Sequence, residues 1–406
     1  LRMEVVANNN ESTVQLWNPH DAAARIRVLQ SNLVFMGSGD FYTANAAAAI
    51  ESAIGNPAVG FQMGGRSTQS SDGSANDDLS FFLANAGANF NLSSWEVGVE
   101  SYDPENRSGN DNFNRGNTAG NSTLGGLNTS GTVSFGTGAG AITFTDMTRF
   151  AAYTRDLRLS AAAGGTVNIN AALVDGGAGV TSTITKIGEG TVNLNGSSFG
   201  PGTVEGVNVL GGFLTLQNYG VNADRRVADG ATLLLGGGGL VVDGSTATAP
   251  FAEDFSSFTV NAGGSAIVAV GPNATVNVAA APARAAGGQV HFQSIAGGTV
   301  NLAGVAASSR IGSWATYGSS LTAAPTATDW AATDGAGNVV AFTGYTTDVF
   351  GATLHTDVAS AGTTAAVTES VRFDASAGTM TGGALTLNDG GILITSNYGG
   401  TEPIGA

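Results

Sequence analysis

The chain has 406 residues, 61 of them glycine, no cysteine, and a formal net charge of −16 at pH 7. The missing cysteines exclude a disulfide framework and thiolate metal sites, and the lack of clustered Lys and Arg excludes the electrostatic footprint of a nucleic-acid or anionic-lipid binder. No apolar run approaches the ~20 residues of a membrane-spanning helix, so membrane insertion by this segment is not expected.

Residues 1–40 read as the first rungs of a repeating β structure. The opening "LRMEVVANNN" is strand-like and carries neither the basic nor the apolar region of a signal peptide. The expectation is a section of a longer exported precursor, lying outside a bacterial cell or on its surface. Met3, Val5 and Val6 of this first strand are candidate interface residues.

From 41 to 130 the chain reads as loop-rich. "NAAAAIESAIG" suits a short helix, and "GGRSTQSSDGSANDD" and "DPENRSGNDNFNRGNTAGNST" read as long polar loops. Asp72, Ser74, Asn76 and Asp78 place oxygen donors at alternate positions, as the front of a calcium loop does, which makes them the candidate metal ligands. Asp77 stands where such a loop needs glycine, and Leu83 where it needs a bidentate glutamate, so hydrated loop is the competing reading. No other cofactor is implied.

From 131 to 396 one unit recurs: glycine, then a short run that alternates apolar and polar residues. It appears as Gly131-Thr-Val-Ser-Phe135, Gly165-Thr-Val-Asn-Ile169, Gly190-Thr-Val-Asn-Leu194, Gly212-Phe-Leu-Thr-Leu216 and Gly298-Thr-Val-Asn-Leu302. Alternation places Val192 and Leu194 on one side of a strand and Thr191 and Asn193 on the other. One such strand cannot bury its apolar side alone, whereas a stack of copies can. Glycine supplies the left-handed backbone that turns the chain between strands. The predicted fold class is all-β, a right-handed parallel β-helix (β-solenoid) with long polar loop insertions in the N-terminal third; a β-sandwich is the alternative.

Thr183 to Gln217 resembles the passenger-associated repeat of bacterial autotransporters. Lys186, the one lysine of the chain, fills that pattern's lysine position. Gly188, Gly190, Thr191, Leu194, Gly196, Phe199, Gly202, Leu214 and Leu216 fill the positions that follow. Ile311 to Thr346 and the block after it resemble the large repeat proteins of the same group. The resemblance implies a β-helical shaft at the cell surface; the export signal and C-terminal barrel of that architecture are not in this sequence.

Catalytic signals are sparse. Asp175, Glu189, Glu205, Asp224, Asp229, Asp243, Glu253 and Asp254 are scattered and read as solvated turn residues, and His20, His291 and His355 have no metal-ligand spacing. Trp314 and Trp330 read as core or cap residues, with a sugar-stacking platform as the alternative. Residues 397–406 read as a tail or an inter-subunit connection, and Ile392 and Ile394, in the last strand, complete the candidate interface. The expected function is a structural subunit of an extracellular filament whose partner is a second copy, joined end to end. An adhesin passenger presenting its loops to surface glycans is the alternative, and a β-helical carbohydrate-active enzyme is less favoured.

Overall fold

The structure, a computed structural model, describes residues 157–170, 183–195, 204–217, 226–318 and 328–399 in full, and elsewhere the backbone of the strands named below. The described residues contain no helix. The short helix expected near residues 45–55 lies outside them, as do the proposed calcium ligands Asp72, Ser74, Asn76 and Asp78.

The strands follow one another as rungs of a coil. The first rungs supply β1 (Arg2–Val6) and β2 (Thr13–Leu16), then β3 (Arg25–Leu29) and β4 (Asn32–Phe35). Three strands per rung follow: β5 (Phe61–Met63), β6 (Leu79–Leu83) and β7 (Asn89–Phe90); β8 (Ser94–Val97), β9 (Ser122–Gly126) and β10 (Thr132–Phe135). The next two rungs are β11 (Ala141–Phe144), β12 (Thr154–Ala161) and β13 (Thr166–Ile169), then β14 (Ala172–Asp175), β15 (Thr181–Ile187) and β16 (Thr191–Leu194). Later rungs carry β17 (Gly206–Val209) and β18 (Phe213–Gln217), β19 (Ala231–Leu235) and β20 (Gly239–Asp243), and β21 (Phe251–Val260) and β22 (Gly263–Val270). The last are β23 (Ala274–Val278), β24 (Ala283–Arg284) and β25 (Gly288–Ile295), then β26 (Thr299–Leu302) and β27 (Ala315–Gly318).

Equivalent strands of successive rungs pair in parallel and build the faces of a β-solenoid. One face is six-stranded, running from β1 to β14; the second is twelve-stranded, from β2 to β26; the third is eleven-stranded and begins at β7. Apolar side chains stack in columns inside. Val167, Val192, Leu214, Leu240, Ile267 and Phe292 form one such column in register, all buried. The outward polar residues pair between rungs: Asn193 Nδ2 donates to Asn168 Oδ1 at 2.9 Å, and Asn208 Nδ2 donates to Thr185 Oγ1 at 3.1 Å. The repeated Thr-Val-Asn-Leu is thus one rung seen from both sides, its valine and leucine in the core and its asparagine in an outer ladder.

At the corner ahead of β16 glycine is a steric requirement. Gly188 turns the corner with φ of 75°, and a Cβ added at Gly190 would lie 2.1 Å from the Ala162 carbonyl oxygen of the rung before. This corner packs backbone on backbone and leaves no room for a side chain.

The parallel coil is closed by a hairpin. β28 (Asp329–Thr333) pairs antiparallel with β27, and β29 (Val339–Ala341) pairs antiparallel with β28. Asp334 holds its turn by accepting from the Ala336 and Asn338 amides at 2.8 and 2.9 Å. The turn also covers β26, because Leu302 N–H donates to the Gly337 carbonyl at 2.9 Å. Trp330 is buried in this cap, and Trp314 packs on the edge of the main core.

A second, smaller parallel coil follows: β30 (Tyr345–Thr347), β31 (His355–Asp357), β32 (Thr363–Thr364), β33 (Val367–Thr368), β34 (Ser370–Phe373), β35 (Met380–Thr381), β36 (Thr386–Leu387) and β37 (Ile392–Ile394). It has its own core of Val358, Val371, Phe373 and Met380. Polar and aromatic contacts join it to the cap. Arg372 forks onto Asp357 through Nε and Nη2, both at 3.0 Å, and pairs with Asp329 of β28, while its guanidinium lies 3.9 Å from the Tyr345 ring centroid. The Tyr345 hydroxyl accepts from the Trp330 amide at 3.0 Å, and Arg310 pairs with Asp389.

Candidate functional site

The residues expected to form an interface sit in the first strand of the main coil and in the last strand of the second coil. Met3, Val5 and Val6 belong to β1, the first strand of the six-stranded face, which pairs on one side with β3. Ile392 and Ile394 belong to β37, the last strand of a four-stranded sheet ordered β30-β31-β34-β37.

β37 lies parallel to β34 with Ile392 on Val371, Leu393 on Arg372 and Ile394 on Phe373. Val371 and Phe373 are fully buried because a rung lies on each side of them. Ile392 and Ile394 continue the same two columns, yet they keep 40% and 51% of their surface exposed. Between them Leu393 points the other way and is 7% exposed. The chain then enters the next corner, where Thr395 Oγ1 and Asn397 Nδ2 donate to Asp374 Oδ1 at 2.5 and 3.0 Å. The Tyr398 ring meets Phe373 edge-on at 5.9 Å. The end is a rung begun: two isoleucines stand where a core column continues, beside a strand edge that has no partner among the described residues. An edge of this kind is a template for another strand.

Among the described residues three charged side chains are fully buried in the main coil, Lys186, Arg226 and Glu253, and Arg226 Nε donates to the Gln217 carbonyl at 2.8 Å. Lys186 occupies a core column between Leu159 and Val209. Its ammonium donates to the carbonyls of Ile187, Gly188 and Gly211 at 2.8, 2.8 and 3.0 Å, tying one corner to the next. Burial pulls it down to about 8, so it stays protonated at neutral pH. Glu253 corrects the expectation of a solvated turn residue. It lies in the ten-residue strand β21, fully buried, in register with the core residue Val276. Its two oxygens accept from the Arg226 and Val227 amides at 2.6 and 3.1 Å. Burial raises it to about 8, opposed by those two amides and by the Arg226 charge. The Glu253 side chain thus satisfies two buried amides that would otherwise need a neighbouring carbonyl. A glutamate inside the "AEDF" run gives no local sign of this in the sequence.

The other carboxylates named from the sequence do not converge. Glu189, Glu205 and Asp229 are exposed, Asp243 and Asp254 are partly buried in strands, Asp175 lies in β14, and Asp224 lies outside the described residues. His291 and His355 each bond through Nδ1 to the hydroxyl one rung on, Thr316 and Ser370, both at 2.9 Å. Burial takes His291 down to about 4, which leaves it neutral. His20 lies outside the described residues. Among the described residues no three His, Cys, Asp or Glu side chains are grouped to hold a metal ion, and no helix is long and apolar enough to cross a membrane.

Comparison of the chain with family models, with curated proteins and with solved structures returns no match.

Proposed function

We propose that this chain is a structural subunit of an extracellular or cell-surface filament, in which β-solenoids join end to end. The observation that carries the reading is the pair Ile392 and Ile394, which extend two buried columns into solvent at a strand edge with no partner among the described residues. Covering two half-exposed isoleucines is worth on the order of 1–2 kcal/mol each, and pairing the strand edge adds to that. Bacterial origin and passage through an autotransporter-type precursor rest on the repeat from Thr183 to Gln217, of which Lys186, Gly188 and Gly190 serve the corner and Thr191 to Leu194 the rung.

Sedimentation velocity over a hundredfold range of concentration tests the reading. A weight-average sedimentation coefficient that climbs with concentration through a series of end-to-end species supports it. A single monomeric boundary throughout would remove it.

A further inference from the structure

We propose that the C-terminal coil is a hinged body: it swings as a folded unit about residues 342–344 and is held shut by a latch between its last turn and the main coil. The hinge joins two parts of one chain and needs no second copy, so it stands whether or not the filament forms. Among the described strands no sheet contains members of both coils. The cores are separate too: Val358, Val371, Phe373 and Met380 form one cluster, and the column that ends in Phe292 belongs to another. A body with its own ladders and its own core keeps its structure when it moves as a whole, and a joint that is not large and apolar leaves it free to do so. The chain crosses between the coils in three residues, Phe342, Thr343 and Gly344, the last two exposed. Phe342 is the pivot, its ring edge-on to Tyr345 at 5.0 Å and to His355 at 4.9 Å.

The latch lies far from the pivot. In the sheet ordered β30-β31-β34-β37, β30 follows the linker and β37 is three strand spacings away, about 14 Å. The turn into β37 meets the main coil there: Asp389 pairs with Arg310, and Ser313 Oγ donates to the Asp389 carbonyl at 2.8 Å. Gly391 seats this turn, because a Cβ added to it would lie 2.6 Å from Ser313 Cβ and 2.9 Å from the Trp330 ring. Between pivot and turn, Arg372 pairs with Asp329, and the Trp330 amide donates to the Tyr345 hydroxyl at 3.0 Å. Each of these hydrogen bonds and ion pairs uses a side chain, so the joint opens without breaking a ladder. The Asp389 side chain is 44% exposed, so water and ions reach the latch, whereas Trp330 behind it is 3% exposed. Opening therefore uncovers Trp330 and re-aims the end that carries Ile392 and Ile394.

The Trp330 amide reports the joint, because its acceptor lies across it. The amides of Val358 and Thr395, bonded to the Arg372 and Phe373 carbonyls, report the interior of the C-terminal coil. Amide-resolved hydrogen exchange would be followed at these three positions in the full native chain, in Asp389→Arg, which sets two like charges at the latch, and in the charge swap Arg310→Asp/Asp389→Arg. Asp389→Arg should speed exchange at Trp330 several-fold and leave Val358 and Thr395 at their native rates. The swap should return Trp330 toward its native rate. All three amides quickening together would mean that the coil unfolds rather than swings, and would overturn the hinge. A Trp330 rate that Asp389→Arg leaves unchanged, or that the swap leaves as fast as in the single variant, would overturn the latch.

Discussion

Ile394 lies in register on Phe373 in one parallel ladder, and what separates them is the next rung: Phe373 is sealed, and Ile394 keeps half its surface in water. The same column therefore passes from core to surface within one strand spacing, about 4.8 Å. Truncation at the two positions should differ accordingly. Phe373→Ala removes a ring from the small core it shares with Val358, Val371 and Met380. It should cost about 3–5 kcal/mol and unfold the C-terminal coil. Ile394→Ala should cost the monomer less than about 1 kcal/mol. Urea midpoints of the two variants check this.

Lys186 ties two corners through three carbonyls from within a core column. Lys186→Met keeps the length and the apolar stem but leaves those carbonyls without the ammonium. The loss should be on the order of 3 kcal/mol, read as a lower urea midpoint with the same slope. An unchanged midpoint would mean that the corner holds without its lysine.

Glu253 gives a dependence on pH. Its folded value, raised by burial to about 8, stands above its ordinary 4.5, so the folded chain binds a proton that the unfolded chain has released. That contribution is present below the ordinary value and lost as pH rises through 8. His291 works in the opposite sense, because its folded value near 4 lies below its ordinary 6.5 and stability rises across that interval. Lys186 acts only above its folded value of about 8. Between about pH 6.5 and 8 Glu253 is thus the one of these three that titrates. The thermal midpoint should fall over this window in the native chain and flatten in Glu253→Gln. Equal slopes in the two proteins would place the midpoint's pH dependence elsewhere.

Arg372 joins the C-terminal coil to the cap through Asp357 and Asp329. Lysine keeps the charge and loses the fork. Arg372→Lys should weaken the C-terminal coil by about 1–3 kcal/mol. Hydrogen exchange should then rise across residues 345–399 and stay unchanged across 226–318.

The regular part of this fold was legible because one rung has one sequence: glycine for a corner without room, valine and leucine for two core columns, threonine and asparagine for the outer ladder. Ile392 and Ile394 were legible as interface candidates by their place in a late apolar strand, though only the register on Val371 and Phe373 shows that they extend a core. Glu253 was misread because its partners, the Arg226 and Val227 amides, come from another rung, 27 and 26 residues earlier. The hairpin β28–β29 was hidden inside a block that reads as more repeat, although "TDGAGN" between its strands is a turn signal. Its antiparallel pairing divides the chain into two cores that the glycine period alone does not separate.

The central claim is that the β37 edge joins one copy to another, and negative-stain electron microscopy of the purified chain tests it most directly. The native protein and the Ile392→Asp/Ile394→Asp double variant would be imaged at the same rising concentrations, after circular dichroism has established that both are folded. Rods of the native chain that lengthen with concentration by whole subunits, beside variant rods that remain single, are the predicted result. Native rods that stay single at every concentration, or variant rods that lengthen as the native ones do, would contradict it.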